Sequence, residues 1–85
     1  METNAGYVIL KSERYEHSND FSVEKSIVLG YKSGKGEWVT WEKRGDGAAA
    51  SYYWGHYFAD ERAAEADYHR RLAEKYEDKM IRKRG

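Results

Sequence analysis

The chain has no cysteine, no proline, no excess of either charge and no long apolar run. Without cysteine it has no disulfide framework and no thiolate zinc site, which suits a reducing, cytoplasmic setting. Fifteen Lys and Arg balance fifteen Asp and Glu. Neither residues 1–59 nor residues 60–85 form a bulk cation, so charge gives no support to a general nucleic-acid binder, which carries a basic excess or a basic face. The opening METNAGYVILKSERYE lacks a basic stretch leading into a long apolar one and does not read as a signal peptide. Nothing approaches the ~20 apolar residues of a membrane span, so no membrane partner is expected. Leu, Ile and Val are few. Three Trp, eight Tyr and two Phe must supply most of the core, each burying roughly 150–250 Å² when enclosed. At 85 residues the chain is one domain, 1–85, with one modest core and a narrow stability margin.

What is present reads as four strands and a helix. GYVILKSERY (6–15) is rich in β formers, and EHSND (16–20) is a turn cluster. FSVEKSIVLGYK (21–32) alternates, with Phe21, Val23, Ile27, Leu29 and Tyr31 on one parity. SGKG (33–36) is a hairpin turn. EWVTWEK (37–43) is a third strand whose two tryptophans, Trp38 and Trp41, point to opposite faces. RGDG (44–47) is a second turn, AAA (48–50) a loop, and SYYWGHYF (51–58) the fourth strand. Asp60 is placed to cap a helix over about 60–82, with Glu61 in the first turn where the dipole favours an anion. Ala64, Tyr68, Leu72 and Tyr76 form its i, i+4 apolar stripe, with Met80 at the edge. The expected fold is α+β: an antiparallel three- to four-stranded sheet followed by one C-terminal helix packed on one face.

SYYWGHYF then poses a problem. Strict alternation sends Tyr52, Trp54, His56 and Phe58 one way and Tyr53 and Tyr57 the other, so both faces of the strand are aromatic. One helix covers one face. The other face, carrying one of Trp38 or Trp41 and one of the two aromatic sets, is then expected either to be a partly exposed aromatic platform or to be covered by another chain, so Trp38, Trp41, Tyr52, Tyr53, Trp54, His56 and Tyr57 are the candidate interface residues. Large apolar patches mark interaction sites, and aromatic side chains are enriched among interface anchors.

The stretch WGHYFADERAAEADYHRRLAEK resembles the strand-to-helix portion of AP2-type DNA-binding domains. Trp54, Gly55, Phe58, Ala63, Ala64 and Tyr68 fall on comparable positions, and EWVTWEK lies where that family has a tryptophan-bearing strand. The resemblance covers about half the chain and implies antiparallel strands followed by a helix. That family reads DNA with arginines and tryptophans on its sheet. Here only Arg14 and Arg44 precede residue 60, so the DNA-contacting pattern is largely missing. YYWGHYF before an Asp-capped, alanine-containing helix also resembles small uncharacterised proteins of phages and mobile elements.

For chemistry the residues offer little. His17, His56 and His69 form no His-x-x-x-His pair, and a metal site would have to gather His56, His69 and Asp67 from separate elements. There is no nucleophile-elbow motif, and GKG and GDG lack phosphate-loop spacing. Glu37 and Glu42 flank the tryptophans, but acid–base work needs a cleft that perturbs them. No catalytic residue, metal or cofactor is assigned. On the helix, Asp67 with Arg71, Arg70 with Glu74 and Asp78 with Arg82 read as i, i+4 ion pairs on a solvent face. The expectation is a small non-catalytic binding module that engages a protein, a second copy of the chain included, in the manner of an inhibitor or accessory factor of a phage or mobile element. An AP2-like nucleic-acid binder is the alternative.

Overall fold

The computed structural model describes residues 2–16 and 24–84, with the backbone alone at residue 16 and over 78–84. The chain forms strands β1 (Thr3–Asn4), β2 (Tyr7–Glu16), β3 (Lys25–Lys32), β4 (Glu37–Arg44) and β5 (Ser51–Phe58), then helix α1 (Glu61–Arg84). The strands form one antiparallel meander in the order β1-β2-β3-β4-β5. The α+β class with a single C-terminal helix is as expected, but the sheet has five strands rather than three or four. The additional strand, β1, is two residues long and turns into β2 through Ala5 and Gly6, both at positive φ. That is the backbone of a two-residue hairpin whose twist matches its strands. Alanine is a poor residue for such a turn, so the sequence does not announce it.

The expected strand over 21–32 is observed from Lys25; residues 21–23 and the turn cluster at 17–20 lie outside the described residues. Residues 48 and 49 fall in a short 3₁₀ turn, Gly47–Ala49, with Ala50 as its extended C-cap; the turn begins where the Asp46 carboxylate accepts from Gly47 N–H at 2.9 Å. Asp60 caps α1 as its position suggests, accepting from Ala63 N–H at 3.1 Å.

The two faces of the sheet carry separate clusters. On the helix side, Ala64, Tyr68 and Leu72 pack on Tyr15, Ile27 and Leu29, with Trp38 and Phe58 partly buried against them. Tyr76, the fourth residue of the expected stripe, lies at the margin, largely exposed, and donates to Glu13 at 2.7 Å. On the far side Tyr7, Val28, Val39 and Trp41 are buried, with Ile9 and Tyr52 packed against them. Among the described residues no second helix lies there. The sheet covers this face with its own side chains. Tyr7, from one side of the meander, meets the Trp41 ring edge-on at 5.4 Å. Tyr52 and Tyr57, from the other side, meet it at 5.6 and 6.3 Å. Glu2, just before β1, reaches across to accept from the Tyr52 hydroxyl and to pair with Lys43 Nζ at 2.9 Å. The two edges of the sheet are therefore drawn towards each other. Burial disfavours the Glu2 charge, but the bonds from Tyr52 and Lys43 outweigh it and its carboxyl lies below the usual range.

Leu72→Ala should destabilise the chain by about 2–5 kcal/mol, because Leu72 is almost fully enclosed between helix and sheet. An unchanged midpoint in chemical denaturation would contradict the docking face described.

Candidate functional site

Strand β5 does not keep strict alternation. Thr40 of β4 faces His56, but Glu42 faces Tyr53, so Trp54 and Gly55 together stand opposite the single residue Trp41. This is a β-bulge with Trp54 at φ +52, a conformation that glycine normally supplies. Gly55 follows, and it has to be small. A Cβ there would lie 2.7 Å from Trp41 Nε1 and 2.8 Å from the Tyr57 hydroxyl. The bulge reverses parity within the strand. Tyr53, His56 and Phe58 share the helix side, whereas Tyr52 and Tyr57 share the far side. Strict alternation had placed Tyr52 with His56 and Phe58, and Tyr53 with Tyr57; the extra residue corrects both.

The bulge sits above a polar layer between sheet and helix. Besides its apolar stripe, α1 turns Asp67, Arg71 and Lys75 towards the sheet at i, i+4 spacing, which makes the helix only weakly amphipathic. Arg71 Nη1 donates to Trp54 O at 2.9 Å, to Thr40 Oγ1 at 3.0 Å and to Thr40 O at 3.2 Å. It ties the helix to the bulge itself. Asp67, 2 % exposed, accepts from Thr40 Oγ1 at 2.6 Å, from His56 Nδ1 at 2.9 Å and from Arg70. An ionised carboxylate only accepts, so Nδ1 carries the proton and a neutral His56 has its second nitrogen, Nε2, as an acceptor. Glu42, equally buried, accepts from Tyr15 at 2.8 Å, from Lys75 at 3.0 Å and from Arg44 at 3.0 Å.

Burial alone would raise both carboxyl groups. For Asp67 the bonds from Thr40 and His56 and the charge of Arg70 outweigh it. For Glu42 those from Lys75, Tyr15 and Arg44 do. Both lie below the ordinary carboxylate range. Arg71 is shifted down by its burial, although the surrounding carboxylates oppose the shift. Among the described residues, no buried side-chain nitrogen or oxygen lacks a partner.

Between the helix and β4–β5, Glu42, His56, Asp67, Arg70, Arg71 and Lys75 line a shallow groove of ≈ 320 Å³, with Trp54 and Glu74 as part of its wall. Trp54 is 59 % exposed; Tyr53, beside it at 5.5 Å, and Tyr57 are also exposed. The Arg44 guanidinium lies 5.4 Å from the Tyr53 ring and 5.1 Å from the Trp54 ring, a cation over two aromatic faces.

The seven aromatic and histidine residues singled out in the sequence thus divide. Tyr53, Trp54, His56 and Tyr57 are exposed on β5. Trp41 is buried in the far-side cluster, Tyr52 is half-buried against Glu2 and Trp41, and Trp38 stacks on Tyr31 at 4.5 Å beside the helix-side core. The positions matching the AP2 pattern divide similarly: Ala64 and Tyr68 are core, Phe58 flanks it, Ala63 is exposed, and Trp54–Gly55 form the bulge. His69 packs edge-on against its neighbour Tyr68, and among the described residues no three His, Asp or Glu side chains converge on a metal position. Thr40, Glu42, Arg44, Arg71 and Lys75 were not singled out as site residues. The available signal was the shared parity of Thr40 and Glu42 with Trp38, facing a helix whose 67, 71 and 75 positions are all charged.

The depressed carboxyl groups give a signed pH dependence. A group whose folded pKa lies below its unfolded value contributes stability above the unfolded value and loses it as pH falls through the folded one. The chain should lose stability below about pH 5. Asp67→Asn should be less stable at neutral pH but lose less between there and strongly acidic pH. Parallel pH profiles of the denaturation midpoint would contradict the role given to Asp67.

Comparisons with protein-family models, curated proteins and solved structures gave no match to the chain, which leaves its own side chains as the guide to function.

Proposed function

We propose that the chain is a small non-catalytic module that binds another protein through the aromatic edge of β5, with Trp54 as the anchor. The observation that carries this reading is the state of Trp54. A large apolar side chain sits exposed on a positive-φ backbone, and Arg71 holds its carbonyl. Such a conformation costs of order 1–3 kcal/mol in a non-glycine residue and persists only where the surroundings enforce it. A tryptophan there adds nothing to the core. Exposed tryptophan and tyrosine beside arginine is the composition of interface anchors. Among the described residues the groove lining contains no serine or cysteine for His56 to activate, so this reading gives the His56–Asp67 pair a part in shaping the groove rather than a covalent step. The resemblance to small proteins of phages and mobile elements favours an inhibitor or accessory factor acting on a host or defence protein.

One observation favours a nucleic-acid reading: Arg44 over Tyr53 and Trp54 is also a platform on which bases stack. The balanced charge of the chain and the acidic residues along the helix weigh towards protein.

The test is affinity capture from source cells with native chain and with Trp54→Gly, each with and without nuclease. Glycine relieves the positive φ, so the variant should keep its stability within about 1 kcal/mol. A nuclease-resistant protein captured by the native chain and lost with Trp54→Gly is expected. Equal capture by both chains, or loss of all partners on nuclease treatment, would overturn the reading.

A further inference from the structure

The groove beside Trp54 is layered by charge. Its two deepest carboxylates, Asp67 and Glu42, have side chains only 2 % exposed, and hydroxyl, imidazole, ammonium and guanidinium donors occupy them. What reaches solvent is mostly cationic. The side chains of Arg70 and Lys75 are 64 % and 37 % exposed, and His56 is half exposed. Arg71, half-buried, uses Nη1 on three uncharged oxygens and makes no ion pair at 4.0 Å or less among the described residues. Among the described residues the one carboxylate on the outer wall is Glu74, 3.9 Å from Arg70 and two-thirds exposed.

We infer that the groove receives an acidic side chain of the bound partner, so that the segment docking on Trp54 is an acidic peptide stretch. This rests on the protein-binding reading and specifies its chemistry. A carboxylate entering between Arg70, Arg71 and Lys75 meets donors already held in place, Arg70 by Asp67, Lys75 by Glu42 and Arg71 by Thr40 and the Trp54 carbonyl, so little side-chain ordering is left to oppose binding. Arg71 offers the planar, forked geometry that suits a carboxylate. Complementary charge at the rim sets specificity and association rate. A continuous polyanion fits less well. Glu74 stands on the outer wall, and the exposed Glu61 and Glu77 lie along the same helix. A peptide also has the outer edge of β5 beside it, where no further strand pairs among the described residues.

The probes are a glutamate-rich peptide, the same peptide with glutamine for glutamate, and oligo-dT, each added to isotopically labelled chain while backbone amide shifts are followed. The glutamate peptide should move Trp54, Gly55, His56 and Arg71, and the glutamine peptide should leave them unmoved. Binding should weaken roughly tenfold in Arg70→Gln and fall steadily with added salt. The salt series uses the native chain and does not depend on how the variant folds. Equal shifts with the glutamine peptide, no shifts with the glutamate peptide, or stronger shifts with oligo-dT would overturn the inference. If Trp54-dependent protein capture persists while the glutamate peptide has no effect, the acidic chemistry alone falls. If the glutamate peptide binds while no protein is captured, the groove stands and the docking reading falls.

Discussion

Opposite Trp41, strand β5 fits two residues where the ladder has room for one. The placement of every ring on β5 follows from this mismatch. Gly55 lets the indole of Trp41 and the hydroxyl of Tyr57 approach its backbone closely. Trp54 takes the positive φ, turns outward and leaves its carbonyl for Arg71. Before the bulge, Tyr52 leans on Trp41. After it, Tyr57 does the same from the same side, because the extra residue has reversed the parity between them. Without it one of these rings would face the helix and the far-side cluster would lose part of its cover.

That cover explains how a short chain with one helix keeps two apolar faces from water. The far side is shielded by Tyr7 and Ile9 from one flank, by Tyr52 and Tyr57 from the other, and by the Glu2 link between them. Aromatic side chains are long enough to reach across a curling sheet, which short aliphatic ones are not. The composition, rich in tyrosine and poor in leucine, isoleucine and valine, suits this architecture. On the helix side the polar network does different work. Thr40, Glu42 and Asp67 are buried, and the two carboxylate charges are tolerable only because each oxygen has donors fixed by the fold. This ties the register of α1 on the sheet to the position of the bulge, so the exposed aromatic edge and the cationic groove are set by the same contacts.

The strands and helix were legible because each relies on a local rule: alternation in β3, glycine at the β3–β4 turn, and Asp60 before a run of helix formers. Three features were not. The β1 hairpin turns on alanine and glycine rather than a favoured pair. The buried Glu42 looks like any charged residue in a strand, because its partners Tyr15 and Lys75 are distant in sequence. The bulge broke the alternation from which the two aromatic faces were read. Its one signal was Gly55 inside an otherwise strong β sequence, a placement that often marks a bulge or a close backbone approach. The i, i+4 pairing of Asp67 with Arg71 is a natural reading of the helix alone, but both residues turn instead to Thr40 on the sheet.

The central claim is that the bulge exposes Trp54 while the sheet conceals Trp41. Collisional quenching of tryptophan fluorescence in a verified monomer, repeated with single Trp→Phe variants, separates the two directly. Trp54 should account for most of the quenchable emission, and Trp54→Phe should remove it, whereas Trp41→Phe should leave it nearly unchanged. A Trp54 as well shielded as Trp41 in the monomer would contradict the account.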